Sequence, residues 1–265
     1  MFRNRSRGLA TLAAVLSLPL LASVASAQDT RPTIAVLDFD NNSIGRNASD
    51  YAAIGKGIAD LLIGDLAAGA NIRVVERDRI QALLDEQKLT RDGHIDQETA
   101  VRLGKLLGAR HMITGGFMST GSQMVLTART IDVETREISN PQRVQQSDDD
   151  VLGLIGKLST RLTSSLKLPP IERRTGDAGH HGHHGAAQAG APAPAAQPRP
   201  AAAPASSAKP ARLDLRTALL YSKALEAQDA GDRARAVELY DQVLDKFPDL
   251  EQARANRDRL HASGD

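Results

Sequence analysis

Apolar residues recur along this chain with two different spacings, and the alternation between them sets out the elements. Residues 33–39, Thr-Ile-Ala-Val-Leu-Asp-Phe, are a short, nearly continuous apolar run of the kind a strand buried on both faces needs. Ile54, Ile58, Leu61, Leu62 and Leu66 then recur at helical spacing, with Ser49 or Asp50 as the expected N-cap and Gly69 as the stop. A second buried strand is expected at 72–75. A helix over 77–88 follows, with Ile80, Leu83 and Leu84 on one face. A strand-helix-strand order implies parallel pairing of the two strands through a right-handed crossover. A third helix begins near Asp96, carries Val101, Leu103, Leu106 and Leu107, and ends at Gly108. Strands are predicted at 111–118, 123–133 and 137–146. They are joined by connections short enough to require antiparallel hairpins, so the sheet is mixed. A last helix over 149–167 stops before Pro169-Pro170.

Beyond this first domain, taken as 28–170, the pattern lapses. Residues 171–211 are Gly, Ala, Pro and Ser with a histidine cluster, a composition that buries too little apolar surface to offset ordering entropy, and they read as a disordered linker. Helical spacing returns in 212–261. Ala218, Tyr221 and Leu225 mark one helix, Ala236, Tyr240 and Val243 a second, and Gly231-Asp232 breaks between them. Gly231-Asp232, Ala236, Tyr240, Val243 and Pro248 resemble one tetratricopeptide repeat, and Asp249-Leu250-Glu251-Gln252 resembles a capping box opening a third helix. One repeat and one further helix cannot cover Tyr221, Leu225, Tyr240 and Phe247. Those four residues are therefore the expected protein-binding surface of a separate small all-α module.

The N-terminus adds a compartment. Arg3, Arg5 and Arg7, an apolar run over 9–21 and Ala25-Ser26-Ala27 form the three zones of a secretory signal peptide, 1–27, with cleavage expected after Ala27. The run is shorter than the roughly 20 apolar residues a membrane-spanning helix needs, so no integral segment is expected after cleavage. The chain has no cysteine, which excludes disulfides and a cysteine-borne lipid anchor. Losing the three arginines takes the formal charge from +1 to −2, which offers nucleic acid no basic surface. With aromatics at 3% and no tryptophan, the stacking platforms of sugar-binding surfaces are lacking too.

Several segments together resemble a known family: Ile34-Ala35-Val36-Leu37-Asp38-Phe39, Val74-Val75-Glu76-Arg77, Leu83-Leu84 with Glu86-Gln87, and Gly108-Ala109 leading into Ile113-Thr114-Gly115-Gly116. In order and spacing they look like the CsgG/HfaB family of curli secretion and envelope assembly factors, whose fold also resembles LpoB and the N-terminal domain of TolB. The resemblance implies an α/β, mixed-sheet α+β sandwich, a periplasmic location, envelope protein partners and no cofactor, and it leaves self-association open. Channel members of the family carry a lipid anchor and two long membrane hairpins per subunit. This sequence has neither the cysteine nor spare strands, so the outer-membrane channel stands as the alternative to a soluble, non-enzymatic periplasmic adaptor.

Candidate chemistry is sparse. Asp38 and Asp40, two apart at a strand end, could pair for metal or acid-base work, but with no histidine or third acid beside them they read as the opening of a polar loop. Glu76-Arg77 reads as a local, solvated tie. Gly55-Lys56-Gly57 lacks the spacing of a phosphate loop. His180, His181, His183 and His184 are the metal candidates, expected to bind weakly from within the linker.

Overall fold

The computed structural model describes residues 31–44, 48–69, 72–88, 95–139, 141–166 and 212–262. The signal peptide, the linker and the histidine cluster lie outside the described residues.

Six strands form one mixed sheet. β1 (Thr33–Val36) is central and parallel to both β3 (Arg73–Val74) and β4 (His111–Ser119). β4, β5 (Gln123–Asp132) and β6 (Gln142–Ser147) follow as antiparallel neighbours, giving the order β3-β1-β4-β5-β6. The first apolar run does not stay one strand. It leaves the ladder after Val36 and rejoins as β2 (Asp40–Asn41), parallel to β4 at Gly116 and Phe117. The strand expected over 137–146 is likewise shorter, reduced before β6 to a single bridge from Ile138 to Ile131.

Helices cover both faces. α2 (Arg77–Glu86) and α3 (Gln97–Leu107) bury Ile80, Leu84, Val101 and Leu103 against Ala35, Leu37, Met112 and Ile131. α1 (Ile54–Ala67) and α4 (Val151–Ser165) cover the opposite face, over Ile34, Val36, Ile113, Leu126 and Val144. This in-out alternation along β1 is what a period of two demands. The predicted stop holds, Gly108 closing α3 in the left-handed region, φ 66°, and Asp96, expected near the helix start, is its N-cap, accepting from Thr99 N–H at 2.7 Å. The cap expected at Ser49 or Asp50 does not form. A 3-10 turn over Ala48–Tyr51 intervenes, and α1 starts at Ile54 without a side-chain cap.

The C-terminal helices are α5 (Leu215–Asp229), α6 (Arg233–Lys246) and α7 (Glu251–Ala262). α5 and α6 pair as a hairpin through Gly231, φ 75°, with Asp232 capping α6 by accepting from Arg235 N–H at 3.1 Å. The expectation of a module standing apart needs correcting, because the described residues from Arg31 onward fall in one compact unit and α5 lies along α1. Tyr221, Leu225, Tyr240 and Phe247 share the core that contains Ile58, Leu61 and Leu62. The chain rejoins the first domain through backbone bonds, Val151 N–H to Leu213 O and Leu215 N–H to Asp148 O, both 2.9 Å. The physical reason is the shortfall noted from sequence: the apolar surface that two helices leave open is covered by α1 and α7. A fragment spanning 213–262 is therefore expected to show weak, non-cooperative melting by circular dichroism, whereas the same helices in the whole chain melt with the first domain.

Candidate functional site

α1 is buried nearly all round, which marks a helix held between two layers. Ile54, Ile58, Leu61 and Leu62 belong to the core, and Lys56, Gly57, Asp60 and Gly64 form the side that meets the C-terminal helices. Gly57 and Gly64 allow the close approach: a Cβ at Gly57 would collide with Ser222 Oγ, and one at Gly64 with Gln252 Nε2.

A buried ion-pair clasp fastens this contact. Asp229, at the end of α5, accepts two hydrogen bonds from Arg77, at 2.8 Å and 2.6 Å, and one from Lys56 Nζ at 2.5 Å. Arg77 is only 6% exposed, and its Nε is buried without a partner. The expectation of a local tie at Glu76-Arg77 is thus replaced by a bond spanning 152 residues. Burial pushes the Asp229 carboxyl up, but the bonds from Arg77 and Lys56 outweigh it and hold Asp229 below the usual carboxylate range.

Next to the clasp, the Tyr221 hydroxyl donates to Asp60 and accepts from Asn256 Nδ2 at 3.2 Å. The Tyr221 and Tyr240 rings lie 6.0 Å apart, tilted by 57°, and Tyr240 donates to Gln228 at 2.8 Å. At the rim Asp78 accepts from Arg259 at 2.6 Å and from Gln228 at 3.3 Å. Burial raises the Asp60 carboxyl above its ordinary value, against the pull of the Tyr221 hydrogen bond. Because the folded value lies above the unfolded one, ionisation of Asp60 costs stability as pH rises through that value. Asp60→Asn keeps an acceptor for Tyr221 and removes the charge. It is expected to raise the urea midpoint at neutral pH, with the gap to the wild type closing under acid conditions.

The clasp adjoins a cleft of about 290 Å³ at the C-terminal edge of β1, between the start of α1 and the second half of α2. β1 is where the connections part, one leading to β3 and the next to β4, and such a switch point opens a crevice in α/β sheets. Leu37, Phe39, Leu84 and Ile95 supply apolar wall, while Asp38, Asp40, Lys56, Gln81 and Thr114 are polar. The structure thus brings Asp38 and Asp40 to one cleft together with Lys56, which the sequence left apart. Burial raises the Asp38 carboxyl, partly offset by Arg77 and Lys56. Among the described residues no group of three or more potential metal ligands forms. The residues expected as a protein-binding surface, Tyr221, Leu225, Tyr240 and Phe247, are buried within the chain itself.

Residues 19–125 match the family model described as "Curli production assembly/transport component CsgG". The matched segment is that of a CsgG-family domain. The match ends inside β5, so α4 and the three C-terminal helices lie beyond it. No curated protein sequence matches the chain. Among solved structures, this chain with its CsgG-family domain is similar to the LpoB C-terminal domain from Salmonella enterica at 15% identity and a TM-score of 0.32, covering 43% of this chain and 82% of that one. It is similar to TolB from Acinetobacter baumannii at 12% identity and a TM-score of 0.35, covering 52% of this chain and only 29% of TolB. For a PelC dodecamer from Paraburkholderia phytofirmans the values are 13% and 0.34, with 53% and 90% covered.

Proposed function

We propose that the protein is a non-enzymatic assembly factor of the bacterial cell envelope, exported to the periplasm by cleavage after Ala27 and acting by binding other envelope proteins. Its CsgG-family domain would supply one binding surface and its tetratricopeptide-like hairpin another. The observation that carries this reading is the clasp. Asp229, Arg77 and Lys56 fix the hairpin on α1, so the two parts offer a partner one composite surface of set geometry. Rigid presentation spares a partner the entropy of ordering two tethered pieces. The family match supports an envelope setting, and the cleft, with two carboxylates and no triad, offers little to an enzymatic reading.

Fractionation tests it. The expected product begins at Gln28, leaves cells with the periplasmic contents on osmotic shock, and retains defined envelope proteins when used as bait. Retention in the outer membrane after carbonate washing, with ring-shaped particles in the extract, would overturn this reading in favour of the secretion channel.

A further inference from the structure

Leu106 is out of place on an otherwise polar helix face. It stands 54% exposed near the end of α3, whereas Val101, Leu103 and Leu107 of the same helix are buried. Arg102 lies one turn before it and Lys105 beside it, and both share a groove with Arg136 and Val101. Among the described residues none of these three cations makes an ion pair, although Glu98 lines the same groove. The result is an apolar knob flanked by unpaired positive charge. On the other layer of the sheet the molecule carries the reverse. A hollow of about 510 Å³ opens where the starts of α4 and α7 meet the end of α1, with Leu61, Leu152, Ile155 and Leu250 as apolar wall. Asp65, Asp150, Asp249 and Glu251 line it against a single cation, Arg212. The two helix N-termini add roughly half a positive charge each, too little to neutralise the carboxylates. Asp249 and Glu251 are exposed and make no ion pair, and Asp65 Oδ2 is buried without a partner. We propose that this hollow takes the Leu106 knob of a second copy of the chain, with Arg102 and Lys105 closing on Asp249 and Glu251.

The two patches cannot meet within one molecule. α3 packs on the α2 side of the sheet, with Val101, Leu103 and Leu107 in one core, while Leu61, Ile155 and Leu250 of the hollow belong to the core on the opposite side. Each copy therefore presents its knob and its hollow in different directions. Pairing them between copies gives a heterologous, head-to-tail contact, which closes as a ring or runs on as a filament. The apolar part of the contact is one leucine, and the charged part sits at a rim open to water. Charge therefore supplies much of the attraction, and the contact is weak and sensitive to salt. Self-association of this kind is a property of the soluble chain and holds or fails independently of export and of other envelope partners.

The test is sedimentation velocity of residues 28–265, which contain the compact unit, over a range of concentrations. Oligomers that grow with concentration are expected at low salt. They should dissociate in about 1 M salt, where charges are screened within about 3 Å. Arg102→Gln with Lys105→Gln removes the charge of the knob, and Asp249→Asn with Glu251→Gln that of the rim. Each pair should weaken association at least about tenfold, and so should Leu106→Ser. All of these residues are exposed, so circular dichroism is expected to show the fold intact. The decisive arm mixes the two charge variants in equal amounts. The hollow of the first still accepts the knob of the second, and each is blocked at its other end, so the mixture should form dimers and nothing larger. A wild type that is monomeric at every concentration overturns the proposal and leaves the knob to a different protein. Variants that associate as the wild type does overturn it as well, and so does a mixture that stays monomeric or grows past dimers. Should a variant misfold, the wild type decides: its association must weaken as salt rises, and association that salt leaves unchanged overturns the proposal.

Discussion

Asp229→Ala is expected to destabilise the whole chain by about 3–5 kcal/mol, the range for removing one member of a buried ion pair. The effect is large because of what remains: the Arg77 guanidinium, with a side chain 5% exposed, would lose both of its hydrogen bonds and stay in the interior. The Lys56 ammonium, 25% exposed, can turn to water and adds less. The linked double substitution Arg77→Met with Asp229→Leu should cost much less than Asp229→Ala alone, since the buried guanidinium is gone, no void remains and the one charge left over, Lys56, reaches water. Urea denaturation of the three proteins measures this. A loss under about 1 kcal/mol for Asp229→Ala, the level of a surface ion pair, would show that the clasp is solvated. The pH dependence has a fixed sign: the folded Asp229 value lies below the unfolded one, so its contribution is present above the unfolded value and is lost as pH falls through the folded value.

Tyr221→Ala is expected to cost a comparable amount, about 3–5 kcal/mol, as for other large aromatic truncations in a core. Tyr221 is fully buried, its ring packs near Tyr240, and its hydroxyl joins Asp60 to Asn256. Truncation therefore opens a cavity between α1 and α5 and strips both polar groups of a partner. Tyr221→Phe isolates the second part and should cost about 1–2 kcal/mol, within the range for leaving buried polar groups unsatisfied. Thermal melting read at both far-ultraviolet helix signal and tyrosine fluorescence distinguishes local from global loss. If Tyr221→Ala melts like the wild type, the helices are not held on the first domain through this residue.

How far the sequence disclosed this fold depends on the distance over which each residue acts. Helix periodicity and turns are local, and Gly108 and Gly231 were legible because a left-handed residue speaks for its immediate neighbours. The strand order followed from connection lengths. What stayed hidden was the seating of α5 on α1, because both partners of Asp229, and Asp60 as the partner of Tyr221 on α1, lie more than 150 residues away. A trace of it was present. α1 carries apolar or small residues on every side, including Gly55, Gly57, Ala59 and Gly64, and a helix with no solvent face must be covered twice. Arg77 reads in isolation like any surface arginine, and only the fold shows that it is buried. Asp38 and Asp40 were visible as a pair, but the cleft depends on α2 and Ile95 closing from the other side.

The way the chain re-enters the first domain has an evolutionary consequence. Leu213 is bonded to Val151 at the start of α4, whereas the chain leaves α4 at its far end, 15 residues and so about 22 Å away. Roughly seven extended residues would bridge that gap, and the stretch between, 167–211, is several times longer. Closure entropy grows only with the logarithm of length, so doubling the stretch would cost about 0.6 kcal/mol. A change in the length of that stretch is therefore cheap, whereas Lys56, Gly57, Asp60, Arg77, Tyr221 and Asp229 are tied to one another across the contact. Homologues with the same docked helices should differ by whole tens of residues between α4 and α5 while keeping these six positions matched to one another.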